Sequence, residues 1–93
     1  IEAYYLCSKS KKFGEIYNIG GDYTCKVGDV LDILLSKTEK PFTKIIDQNR
    51  IRPTDITLQI PDCSKFKNDF DWEPKKNIDD ICDDLLNYWR KNI

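Results

Sequence analysis

From Asn77 to Arg90 the chain reads NIDDICDDLLNYWR, and no other stretch leaves so few choices of structure. Ile78, Ile81, Cys82, Leu85, Leu86 and Trp89 recur at the three- and four-residue spacing of a helix and form one unbroken apolar stripe. Asp79, Asp80, Asp83 and Asp84 fall on the other side. Asn77 is a good N-terminal cap, the acids cluster where the helix dipole is positive, and Arg90 and Lys91 stand at the end that favours cations.

The same spacing recurs in TCKVGDVLDILLSK, where Val27, Val30, Leu31 and Leu34 predict a second amphipathic helix whose start is left open, since Thr24 is a good cap and Lys26 is not, and Gly28 in the first turns costs about 1 kcal/mol of helix propensity. Residues 2–9 predict a short helix with Ala3, Leu6 and Cys7 on one side. Asp62 is placed to cap another in which Phe66 and Phe70 stand four apart, and DWEP ends it, because a residue before proline avoids helical geometry. Between the helices, Ile16, Tyr17 and Ile19 suit a strand stopped by Gly20 and Gly21. Residues 43–46 suit a second strand, and Ile56, Leu58 and Ile60 alternate with polar residues as a half-buried third. This order predicts an α/β fold whose small sheet either stands alone or extends a larger one.

With 93 residues and 40% hydrophobic content, the chain is expected to be one small domain over residues 1–93, with a core thin enough to need cover from another domain. It opens at Ile1 and contains no methionine, so it is expected to be a piece of a longer polypeptide or a processed product. A net charge of -1 gives no attraction to nucleic acid or to an acidic membrane. No window approaches the roughly 20 apolar residues of a transmembrane helix, and nothing resembles a signal peptide, so a cytoplasmic location is expected. The cysteines at 7, 25, 63 and 82 form no Cys-x-x-Cys pair, and there is no histidine to complete a mixed zinc site. No metal is expected, and the thiols are read as reduced and structural. Without histidine the familiar Ser/His/Asp and Cys/His arrangements are excluded.

Four stretches invite a functional reading. Tyr5 and Lys9 match Tyr-x-x-x-Lys, the catalytic pairing of short-chain dehydrogenases, but no Gly-rich nucleotide fingerprint precedes them, and no catalytic residue is assigned. NIGGDY offers either backbone N–H groups for a phosphate or a plain tight turn. The acidic run Asp79 to Asp84 lacks the ligand pattern of a calcium loop and is read as a solvated helix face. The fourth is RIRPTD. The Arg52 guanidinium is a fork matched to phosphate oxygens, and Pro53 biases the Arg52 backbone towards an extended form. Asp55 is an acceptor suited to adjacent hydroxyls such as those of a ribose. Spacing alone leaves two alternatives, a nucleotide-sugar grip or a surface salt bridge between Arg52 and Asp55.

Taken in order, GEIYNIGG, RIRPTD, PDCSKFKNDFDWEP and DDLLNYWR resemble the C-terminal part of the extended short-chain dehydrogenase/reductase family of NAD(P)-dependent nucleotide-sugar epimerases and dehydratases, closest to its GDP-mannose 4,6-dehydratase group. The likeness covers nearly the whole chain. It implies a small C-terminal substrate-binding subdomain whose Rossmann core is absent from this sequence. It further implies that Arg52 contacts the substrate diphosphate and Asp55 the ribose, and that Trp72 packs the final helix. In such enzymes a separate N-terminal Rossmann domain carries NAD(P) and the catalytic pair, and the reaction begins by hydride transfer from the sugar. By that likeness the chain alone binds no cofactor and catalyses nothing. Its partners are a nucleotide-diphosphate sugar and the missing Rossmann domain, within a homo-oligomeric parent. A detached module of the same fold that docks a partner protein is the alternative. Lys26 stands where relatives often place a small capping residue.

Overall fold

The computed structural model describes all of residues 1–93 and contains four α-helices and no β-strand. The helices are α1 (Glu2–Lys9), α2 (Val27–Ser36), α3 (Ser64–Phe70) and α4 (Ile78–Asn92), with one 3-10 turn over Gln48–Arg50. None is long and apolar enough to cross a membrane. The chain divides into two compact units, Ile1–Asp22 with Ile60–Lys75, and Tyr23–Gln59 with Lys76–Ile93.

The first unit is organised by Phe66, which is fully shielded from solvent. Phe70 stacks on it at 4.6 Å between centroids, while Tyr17 and Trp72 meet it edge-on at 5.5 and 5.3 Å. Edge-on and offset contacts of this kind add to the gain from burial alone. Trp72 therefore packs the Phe66 cluster, where the family likeness had it packing the final helix. The cap position of α3 is Cys63 rather than the expected Asp62, whose Oδ1 accepts from the Ser64 N–H at 3.0 Å from one residue further out. The helix ends as Asp71 turns into the left-handed region at φ 47°, a conformation that aspartate tolerates better than most residues. Gly20 is needed for a different reason, since a Cβ there would lie 2.7 Å from Pro61 Cγ.

The second unit pairs α2 with α4. Asn77 and Asp80 cap α4 reciprocally, each side chain accepting from the other's backbone N–H at 2.9 and 3.0 Å. Cys82, on the apolar stripe, is buried. Lys37, just past the end of α2, joins Asp79 and Asp83 at 2.9 and 2.8 Å, and Arg90 Nη2 donates to the Lys37 carbonyl at 2.9 Å. The acidic face is thus partly committed to holding α2. The two acids hold the Lys37 ammonium above its ordinary pKa, Asp83 more than Asp79. The cap of α2 is Lys26 rather than Thr24, with the Asp29 carboxylate accepting from the Lys26 N–H at 3.1 Å.

The α/β expectation is overturned, because helices are the regular elements of the structure and none of the three predicted strands forms. Period-two alternation says which side of a strand would be buried, but a strand exists only when a neighbour lies about 4.8 Å away to complete its hydrogen-bond ladder. None of the three segments finds such a neighbour. Apart from Tyr17, which packs on Phe66, their apolar side chains stay largely wet, with Ile16, Ile45, Ile56 and Leu58 between 65% and 87% exposed. The reading as a small α/β subdomain of Rossmann type falls with them.

Much apolar surface is left open in consequence. The chain keeps 8706 Å² accessible, whereas even two separate folded globules of the units' sizes would leave about 6,700 Å² by the scaling of monomeric proteins. Phe66→Ala is expected to cost about 3–5 kcal/mol, enough to unfold the first unit, and near-ultraviolet circular dichroism should report the collapse of its aromatic signal. A spectrum that survives the substitution would mean that the cluster is not the core.

Candidate functional site

The Arg-Pro-Asp loop leaves a short 3-10 turn. Asp47 Oδ1 accepts from the Asn49 N–H at 3.0 Å, and the Asp47 carbonyl accepts from the Arg50 N–H at 3.1 Å. Asp47 also pairs with Arg50 Nε at 3.3 Å, both side chains being well exposed. The sequence signal for this turn is an aspartate two residues before an asparagine, an arrangement in which the carboxylate caps the backbone. Ile51 then returns the chain to extended geometry at φ -70° and ψ 123°, immediately before Arg52 and Pro53.

Arg52 and Asp55 are both exposed, and they are not joined. Arg52 takes part in no ion pair, and the Asp55 carboxylate engages only the Ile56 N–H next to it, at 2.9 Å. The surface salt bridge that would have explained this loop without a ligand is therefore not formed. Asp55 lines a cleft of about 790 Å³ together with residues 56–58, residues 24–27 and Asp29. Arg52 is not part of that lining. The cleft thus holds one of the two expected ligand contacts, and the guanidinium stands outside it.

The other candidates resolve into structure. Lys9 Nζ lies 4.4 Å from the Tyr5 ring centroid, a cation–π contact within α1. In NIGGDY, Gly20 makes room for Pro61 and Asn18 Nδ2 donates to the Asp62 carbonyl at 3.3 Å, so the stretch serves as a packed turn. The acidic run belongs to Lys37, to Lys76 and to the α4 cap, and no cluster of three or more ligating side chains could hold a metal. All four thiols are free, Cys63 and Cys82 buried among them. The glycines at 14, 20, 21 and 28 are not spaced as a nucleotide-binding fingerprint.

Sequence reasoning missed one polar cluster in the first unit. The Tyr17 hydroxyl donates to Asp69 Oδ2 at 2.7 Å, and Lys12 Nζ approaches the same oxygen at 3.3 Å. The Asp69 carboxylate pushes the Tyr17 phenol up to about 12, while the Tyr17 hydroxyl and then the Lys12 ammonium hold Asp69 below the usual carboxylate range. A phenol so firmly protonated anchors a fold and is unsuited to act as a base. Nearby, the hydrogen bond from Lys75 at 2.6 Å chiefly lowers the Glu2 pKa. The Trp72 indole N–H assists without the geometry of a full hydrogen bond and is left buried with no partner.

Because folding raises the Tyr17 pKa, its contribution to stability is present in full below about pH 10, the value for a free phenol, and is lost as pH rises through about 12. Ultraviolet titration of tyrosinate absorbance should therefore lose a step near pH 12 in Tyr17→Phe. A titration curve with that step intact would place the raised phenol elsewhere.

No protein-family model matches the chain, and no solved structure matches it.

Proposed function

We propose that the chain is the nucleotide-sugar-binding portion of a cytoplasmic NAD(P)-dependent dehydratase or epimerase, of the GDP-mannose 4,6-dehydratase type. The observation that carries this reading is the loop after the 3-10 turn, where an arginine fork and a carboxylate are three residues apart, exposed and free of each other. A loop that needed the pair only for its own stability would close the ion pair, and this one keeps both groups available. Arg52 is suited to the diphosphate oxygens and Asp55 to vicinal hydroxyls. NAD(P) belongs, in this reading, to a Rossmann domain elsewhere in a homo-oligomeric parent, and the 93-residue chain supplies binding without catalysis.

The open apolar surface supports the same assignment. Side chains such as Ile45, Ile56 and Leu58 are wet here, and the excess area is on the scale of one side of a large obligate interface. It supports equally a second reading, in which the chain docks a partner protein and ignores nucleotides. Titration calorimetry with GDP-, UDP- and TDP-sugars separates the two. Saturable binding of at least one is expected, with Arg52→Ala weakening it about tenfold or more, as the loss of a charged contact does. Absence of heat with all three would leave the docking module, and unchanged affinity in Arg52→Ala would remove that residue from the site.

A further inference from the structure

Helix α4 carries more apolar surface than its pairing with α2 uses. Ile78, Cys82 and Leu86, each four residues from the next, are its shielded or partly shielded apolar side chains, and Lys37 at the end of α2 fastens Asp79 and Asp83. Ile81, Leu85 and Trp89 form a second row of the same spacing, with Tyr88 beside them, and all four are between 45% and 58% exposed. The rings of Tyr88 and Trp89 meet edge-on at 5.3 Å, so the aromatic end of this row is a preformed surface. With about half of each side chain open, the row offers on the order of 400 Å² of apolar area, the size at which a surface patch marks an interaction site.

The charges beside the row select the partner. The acids of α4 lie in its first half, and Arg90 and Lys91 in its last turn. Asp79 and Asp83 are held by Lys37, Asp84 by Lys76, and Arg90 donates to the Lys37 carbonyl. Asp80, which caps the helix, and Lys91 enter no ion pair. They stand eleven residues apart, close to three helical turns, and so lie along one edge of α4 at its opposite ends.

We propose that α4 pairs with α4 of a second copy of this chain, antiparallel about a two-fold axis at Leu85. Ile81 then meets the other copy's Trp89, Leu85 meets its counterpart, and Asp80 comes level with the other copy's Lys91, so that an ion pair closes each end of the contact. Parallel pairing would set Asp80 on Asp80 and Lys91 on Lys91, which repel. A patch complementary to itself is what a two-fold contact between copies requires. Two such rows bury about 800 Å² of apolar side chain, and with the flanking charges the contact falls at the low end of specific interfaces, so the dimer forms reversibly with concentration.

Sedimentation equilibrium of the 93-residue chain over rising concentration tests this, with the parent, Leu85→Glu, Lys91→Glu and Ile45→Glu. All three positions are exposed and glutamate is a good helix former, so far-ultraviolet circular dichroism of each variant should match the parent. The parent is expected to move from 10.9 kDa towards twice that mass. Leu85→Glu sets two like charges together at the axis and should weaken association about tenfold or more. Lys91→Glu puts a carboxylate opposite Asp80 and should weaken it about threefold or more at low salt. Ile45→Glu, at an open apolar residue elsewhere, should associate as the parent does. A parent that stays monomeric, or a Leu85→Glu chain that associates as tightly, would overturn the proposal. So would an equal loss in Ile45→Glu, the mark of general stickiness, and parent-like association of Lys91→Glu, which would exclude the antiparallel register. Nucleotide binding plays no part in this readout, so the nucleotide-sugar reading stands or falls separately.

Discussion

The constraint on which everything else depends is the small amount of apolar surface that this chain hides. Ala3, Cys63, Phe66 and Cys82 are its buried apolar residues, and only Phe66 among them is large. Full burial of one such side chain contributes about 1.5–3 kcal/mol, against a conformational-entropy cost that grows with every ordered residue. Capping, helix pairing and aromatic packing therefore carry an unusual share of the order. Isoleucines and leucines that would make an ordinary core are on the surface, although hydrophobic residues make up 40% of the chain.

The helices were legible in the sequence because their information is local. The stripe in α4, its Asn77 cap and the four-residue spacing of Phe66 and Phe70 each sit within one segment. The start of α2 was not fixed by the sequence because a lysine at a cap position carries no signal of its own, and the carboxylate that secures it comes three residues later. The strands were misread for a non-local reason. Alternation in Ile56, Leu58 and Ile60 is a property of one segment, whereas a ladder is a property of two, and the sequence does not name the second. Family likeness reinforced the error, since it carried a sheet that nothing in these 93 residues completes.

The candidate site was legible as chemistry and not as place. Arg52, Pro53 and Asp55 stand out by residue type alone, but that Asp55 opens onto a cleft and that Arg52 lies outside its lining depend on how residues 24–29 and 55–58 meet. Elsewhere the charges found partners that the sequence did not reveal. Lys37 reaches across 42 residues to Asp79, and Tyr17 across 52 to Asp69. Exposed pairs of this sort add little stability singly but restrict how the elements can be arranged. Against that background, Arg52 and Asp55 are two exposed groups of opposite charge, three residues apart, that do not pair.

The proposal to be tested is that this chain is the binding portion of a larger enzyme, the remainder of which would cover its bare apolar surface. The most direct measurement is the size of the native polypeptide in its source cells, detected with an antibody raised against residues 77–93. The account predicts a band several-fold larger than 10.9 kDa. A single band at the chain's own mass would contradict it, because the exposed surface would then belong to a small protein that meets its partners without a cofactor domain attached.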